Sequence, residues 1–137
     1  MSELVVECED GLYRIDVAAD VDEVIDFEPG ETLPPRPRPV ELVPPFASSH
    51  LVDIDAFGST VVLALDRRPP LLVSHDGGLT WNERGGGLPP ARGIAIGESP
   101  DDVAYAGRNR LFVARDGGRF WRAVAVELPE IRAVTWA

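Results

Sequence analysis

The 137-residue chain contains no lysine and no glutamine, and only one cysteine, Cys8. A lone cysteine excludes an internal disulfide and predicts a reducing, cytoplasmic setting. No apolar run approaches the roughly 18 residues of a membrane span, so no membrane partner is expected. The opening Met1-Ser2-Glu3-Leu4-Val5-Val6-Glu7 has neither a basic region nor a continuous apolar stretch, and no secretory signal is expected there. Helical periodicity is lacking throughout. All 13 basic residues are arginines, set against 23 carboxylates, and the formal charge of −10 opposes nonspecific binding to nucleic acid or anionic lipid. Carboxylates are spread along the whole chain, so acidity is a general surface property; GC-rich coding and adaptation to high salt both account for it. With 45% apolar residues the chain can bury the core of one domain.

What is present is a repeat. Ser74-His75-Asp76-Gly77-Gly78-Leu79-Thr80-Trp81 returns 40 residues later as Ala114-Arg115-Asp116-Gly117-Gly118-Arg119-Phe120-Trp121. Each copy follows an apolar strand, Leu71 to Val73 or Leu111 to Val113, and turns the chain into another. A period of this length marks supersecondary units that cannot bury their faces alone. Aligning them yields a four-strand unit. In one copy the strands are expected over Leu51–Asp55, Thr60–Leu65, Leu71–Ser74 and Trp81–Glu83. In the next they fall at 92–97, Val103–Ala106, Arg110–Ala114 and Phe120–Val126, separated by Gly, Asp and Asn turns. Leu88-Pro89 and Leu128-Pro129 close the two units at equivalent places.

Residues 130–137 align with the first strand of a further unit. Leu4–Cys8, Leu12–Val17 and Val21–Phe27 resemble the second, third and fourth strands that such a unit lacks. The reading is all-β: a β-propeller with three four-stranded blades. Blade 1 is built from about 3–27 plus 130–137, blade 2 from about 51–90 and blade 3 from about 91–129, with a Pro-rich connection over 28–50. Propellers close with roughly 4–8 blades. Three are too few, so the expected assembly is a six-bladed homodimer in which each C-terminal strand joins the partner's N-terminal blade. A heteromeric complement is the alternative.

The first copy of the turn resembles the Asp-box, or BNR, repeat (Ser/Thr-x-Asp-x-Gly-x-Thr-Trp), matching at Ser74, Asp76, Gly78, Thr80 and Trp81. The second keeps Asp116, Gly118 and Trp121 but carries Ala114 and Phe120. The repeat occurs in sialidases, sortilin-type receptors and photosystem II stability factors, and the resemblance implies a box at the outer turn of each blade, away from the axis. A structural role follows from the chemistry: an Asp that caps its own turn, glycines that tolerate positive φ and a Trp that packs. Metal binding and catalysis are the competing roles.

The sialidase resemblance would imply an arginine cluster, a tyrosine nucleophile with a partner carboxylate, and a second acid. Only Tyr13 and Tyr105 are available, and Tyr105, beside Ala104 and Ala106, reads as a core residue. Arg92 and Arg132 are equivalent first-strand residues that could hold an anion near the axis; salt bridges to Glu98 or Glu130 are the plainer reading. His50 and His75 lack a second ligand at zinc spacing, so no metal is expected. Cys8 reads as a buried structural thiol. Gly85-Gly86-Gly87 has no Lys-Ser/Thr after it and reads as a turn. The segment Pro29 to Pro45 holds seven of the 13 prolines. It reads as a stiff connection, with Arg36 and Arg38 the candidate contact for a protein partner. The expectation is a non-catalytic interaction scaffold without cofactor; an axial small-ligand or glycan binder is the alternative and a glycoside hydrolase the remote one.

Overall fold

The computed structural model describes residues 3–18, 22–35 and 51–137. Twelve strands and no helix occur among them. In chain order these are β1 (Glu3–Cys8), β2 (Gly11–Asp16), β3 (Glu23–Pro29), β4 (Leu51–Phe57), β5 (Thr60–Leu65) and β6 (Leu71–Ser74). They continue with β7 (Asn82–Arg84), β8 (Gly93–Ile96), β9 (Val103–Ala106), β10 (Leu111–Ala114), β11 (Arg122–Ala123) and β12 (Ile131–Trp136). They form three antiparallel four-stranded sheets, ordered β4-β5-β6-β7, β8-β9-β10-β11 and β12-β1-β2-β3. These are blades 2, 3 and 1 of a β-propeller.

The middle strands form because their residues can be buried on both faces. All six residues of β5, Thr60-Val61-Val62-Leu63-Ala64-Leu65, are buried. Alternation sends Val62 and Ala64 to one side, where they pack with Leu71, Ile94, Ile96 and Tyr105 between blades 2 and 3. Val61, Leu63 and Leu65 point the other way and are buried with Ile54 and Leu72. A second core joins blades 3 and 1: Leu4, Val6, Ile15, Ile131 and Val134 against Ala104, Ala106, Leu111 and Val113.

The first strands lie side by side. β8 touches β4 on one flank and β12 on the other, while β4 and β12 do not meet. Blades 2, 3 and 1 therefore form an open arc. Gly93 sits in the crowded centre of this row, with Asp53 and Val134 on either side of the position a Cβ would take.

Within the single chain the C-terminal strand lies on the chain's own N-terminal strand. β12 pairs with β1 of its own chain, Leu4 opposite Trp136 and Val6 opposite Val134, and Glu9 N–H extends the ladder to the Glu130 carbonyl at 2.9 Å. A strand tethered within the same chain meets β1 at a higher effective concentration than one from a second molecule. The fourth strand of blade 3 is also shorter than expected, Arg122–Ala123 in place of Phe120–Val126, because the Ala125 N–H turns to the Asp22 carboxylate at 2.8 Å.

Candidate interaction surface

The two repeated turns are closed by their own side chains. Ser74 Oγ donates to Asp76 Oδ1 at 2.7 Å and accepts the Gly78 N–H at 2.8 Å. The Thr80 N–H and hydroxyl donate to the two oxygens of Asp76 at 2.9 and 2.5 Å. These bonds hold the Asp76 carboxyl down at about 2, the Thr80 hydroxyl first, then the Thr80 N–H and Ser74. In the second turn Asp116 Oδ1 accepts the N–H groups of Arg119 and Phe120, and the Trp121 indole donates to the Gly118 carbonyl at 2.9 Å. Gly77, Gly78, Gly117 and Gly118 all have positive φ. Among the described residues, the donors these carboxylates engage belong to their own turns, and the bonds close each turn on itself.

The axial edge of the arc is sealed by side chains of the neighbouring blades. Asp53 and Asp55 on β4 accept the Ile94 and Ile96 N–H groups of β8 at 3.0 and 2.8 Å. The Trp136 indole donates to the Ala95 carbonyl between them at 3.1 Å, and the Arg115 guanidinium lies 5.2 Å from the Trp136 ring centre. The inner edge of blade 3 is thus satisfied from both neighbours, which removes a template for unwanted strand pairing. The signal was present in the sequence as two carboxylates in an otherwise apolar strand.

The thiol and both phenols are held in their protonated forms. Cys8 is buried, and burial followed by the charges of Asp10, Glu9 and Glu7 pushes its thiol up to about 12. The buried Tyr105 donates its hydroxyl to the Pro89 carbonyl, stacks edge-on with Phe112 and Trp121, and is pushed up to about 12 by burial. Tyr13 donates to Asp10 at 2.8 Å. Partial burial, then that bond and the Asp10 charge, also raise this phenol to about 12. The Tyr105 hydroxyl lies under the Pro89-Pro90 ridge near Arg68, and that of Tyr13 faces Asp10. His75 is exposed with Nδ1 3.3 Å from Thr60 Oγ1. His50, Arg36 and Arg38 lie outside the described residues.

Arg92 is engaged: it reaches Glu130 Oε1 at 3.1 Å, and Arg108 approaches the same oxygen at 3.5 Å. Arg132 is exposed and makes no ion pair among the described residues. The pair Arg92 and Arg132 therefore does not share one carboxylate.

Arginines gather instead at the end of the arc where the β5–β6 and β9–β10 hairpins turn. A groove of about 230 Å³ lies among Arg67, Arg68, Pro89 and Pro90. A second, of about 330 Å³, shares the two prolines and is lined by Arg92, Arg108 and Arg110. A third, of about 480 Å³, shares Asn109 and Arg110 and runs past Ala125 to Leu128. The three adjoin one another, and this trough is lined by five arginines with Asp66 and Glu127, while Glu83 and Glu130 pair with Arg67, Arg92 and Arg108. The repeat itself carries a sign of it, since Arg68 and Arg108 stand 40 residues apart in equivalent hairpins.

No family model and no curated protein matches the chain. Among solved structures the fold is similar to one titled "YCF48 bound to D1 peptide", with a TM-score of 0.53 and 14% sequence identity. The match covers 92% of this chain and 38% of that one.

Proposed function

We propose that the chain is a non-catalytic β-propeller scaffold that binds a protein partner. The supporting observation is the rigid three-blade arc itself, similar in fold to a structure captured with a bound peptide. At this level of identity the similarity carries the fold; the step to partner binding is the present reading. It is favoured over a glycosidase because each tyrosine hydroxyl is tied to a local acceptor, Tyr13 to Asp10 and Tyr105 to the Pro89 carbonyl. It is favoured over an axial anion site because Arg92 is already paired with Glu130.

A second arc facing the first would complete six blades. With β12 retained in its own chain, such a homodimer must form through blade flanks. The middle-strand residues on the far side of blade 2 (Val61, Leu63, Leu65 and Leu72) are already buried within one chain, leaving them no open apolar surface to offer.

The test is cross-linked affinity purification from the source cell followed by reconstitution with the purified partner. A complex of fixed stoichiometry that reassembles from the two pure proteins is expected. Turnover of an aryl-glycoside panel, or failure of every candidate to reassemble, would overturn the proposal.

A further inference from the structure

We infer that the arginine trough is the docking site for an acidic, extended segment of the partner, an inference that rests on the interaction-scaffold reading above. Three observations carry it. The first is a charge inversion. The chain as a whole has 23 carboxylates to 13 arginines, whereas the trough gathers five arginines against Asp66, Glu127 and the ion-paired Glu83 and Glu130. A local positive field on an acidic molecule selects a negative ligand and holds other surfaces off.

The second observation is the availability of that charge. Arg92 and Arg108 share Glu130, and Arg67 lies 3.8 Å from Glu83. Arg68 and Arg110, one on each side of the proline ridge, are exposed and make no ion pair among the described residues. Their guanidiniums can accept carboxylates in the forked geometry that suits Arg.

The third is shape. Three grooves joined wall to wall follow the end of the arc, and the ridge between the first two, Pro89-Pro90, is fixed from below by the Tyr105 hydroxyl. An extended chain can lay apolar groups on the prolines and set carboxylates at Arg68 and Arg110. A second copy of this chain is a poorer occupant, because its strongly negative surface would bring bulk repulsion along with any fitting segment.

The test uses a fluorescein-labelled peptide of alternating aspartate and alanine, its asparagine counterpart, and fluorescence polarisation with the full chain at low salt. The acidic peptide is expected to bind and to weaken as salt rises, while the asparagine peptide does not bind. Arg68→Glu with Arg110→Glu is expected to weaken binding by roughly tenfold or more. The corresponding double Lys variant retains most of it, and circular dichroism melts of both variants should match the parent. Equal binding of the asparagine peptide, unchanged affinity after charge reversal, or no binding of the acidic peptide would overturn the inference. So would equally tight, reversal-sensitive binding of oligothymidylate, which would make the trough a general polyanion site. If a reconstituted partner complex survives the double charge reversal, the trough assignment fails while the scaffold reading stands; if no partner reassembles at all, the scaffold reading itself fails.

Discussion

Replacing Trp136 with Ala tests how β12 holds blade 1 onto blade 3. The indole is partly buried against the core between these blades and donates to the Ala95 carbonyl at 3.1 Å beneath the Arg115 guanidinium. Partial burial of so large a ring is worth about 2 kcal/mol. The hydrogen bond adds about 1 kcal/mol net and the cation–π contact roughly 0.5 kcal/mol. The expected loss is therefore about 3.5 kcal/mol, or roughly 12 °C in Tm for a chain of this size. Trp136→Phe keeps most of the ring and gives up the donor, so it should cost about 1 kcal/mol. Urea unfolding followed by far-ultraviolet circular dichroism reads both without depending on the fluorophore removed. A loss within about 0.5 kcal/mol of the parent for Trp136→Ala, the range of an inconsequential surface change, would refute the packing described.

Further outcomes follow from the same contacts. Burial alone would raise the Asp22 pKa, but the hydrogen bonds from Arg122 and the Ala125 N–H, with the Arg122 charge, hold it below the usual value of 3.8. A depressed carboxyl stabilises fully above the unfolded value and loses that contribution as pH falls through the folded one, so Asp22→Asn should flatten the acid limb of a Tm-versus-pH curve. The Cys8 thiol, raised to about 12, stays protonated in the fold. Its contribution is complete below the unfolded thiol value and is lost as pH rises toward about 12, and a disulfide reagent at mildly alkaline pH should label it only at the rate of unfolding. Ser74→Ala should cost about 1 kcal/mol in urea unfolding, since the second turn already works with Ala114. Asp76→Ala should cost more, because the Asp carboxylate is the acceptor both turns retain. A reversed order would show that the hydroxyl, not the carboxylate, closes the turn.

The blades were legible because their turns are chemically forced. Asp-Gly-Gly admits the positive φ that these positions adopt, and the strands β5, β6, β9 and β10 match the expected spans within one residue at each end. The equivalence of residues 130–137 to a first strand was legible from the offset. Which molecule accepts that strand was not, since pattern fixes the register of Val6 with Val134 and is silent on whose β1 it joins. The clasp between Asp22 and Arg122, 100 residues apart in sequence, carries no local signature. Asp53 and Asp55 stand out as carboxylates in an apolar strand, but that they serve the backbone of the next blade shows only in the fold. The trough eluded sequence reading for a related reason. Its arginines come from two hairpins and the start of a first strand, and Arg36-Pro37-Arg38 offered a more compact basic motif.

Pairing of β12 with β1 inside one molecule is tested most directly by a cross-link in register. Val5 and Thr135 face one another across that ladder. Val5→Cys with Thr135→Cys, in a Cys8→Ala background, places two thiols at opposing positions of neighbouring strands, where the Cα separation suits a disulfide. After mild oxidation at low protein concentration, the account predicts a product that runs as a single chain on a non-reducing denaturing gel and regains its original mobility on reduction. A covalent dimer as the main product would show that the strand is given to a second molecule, and the cis-closed arc would be wrong.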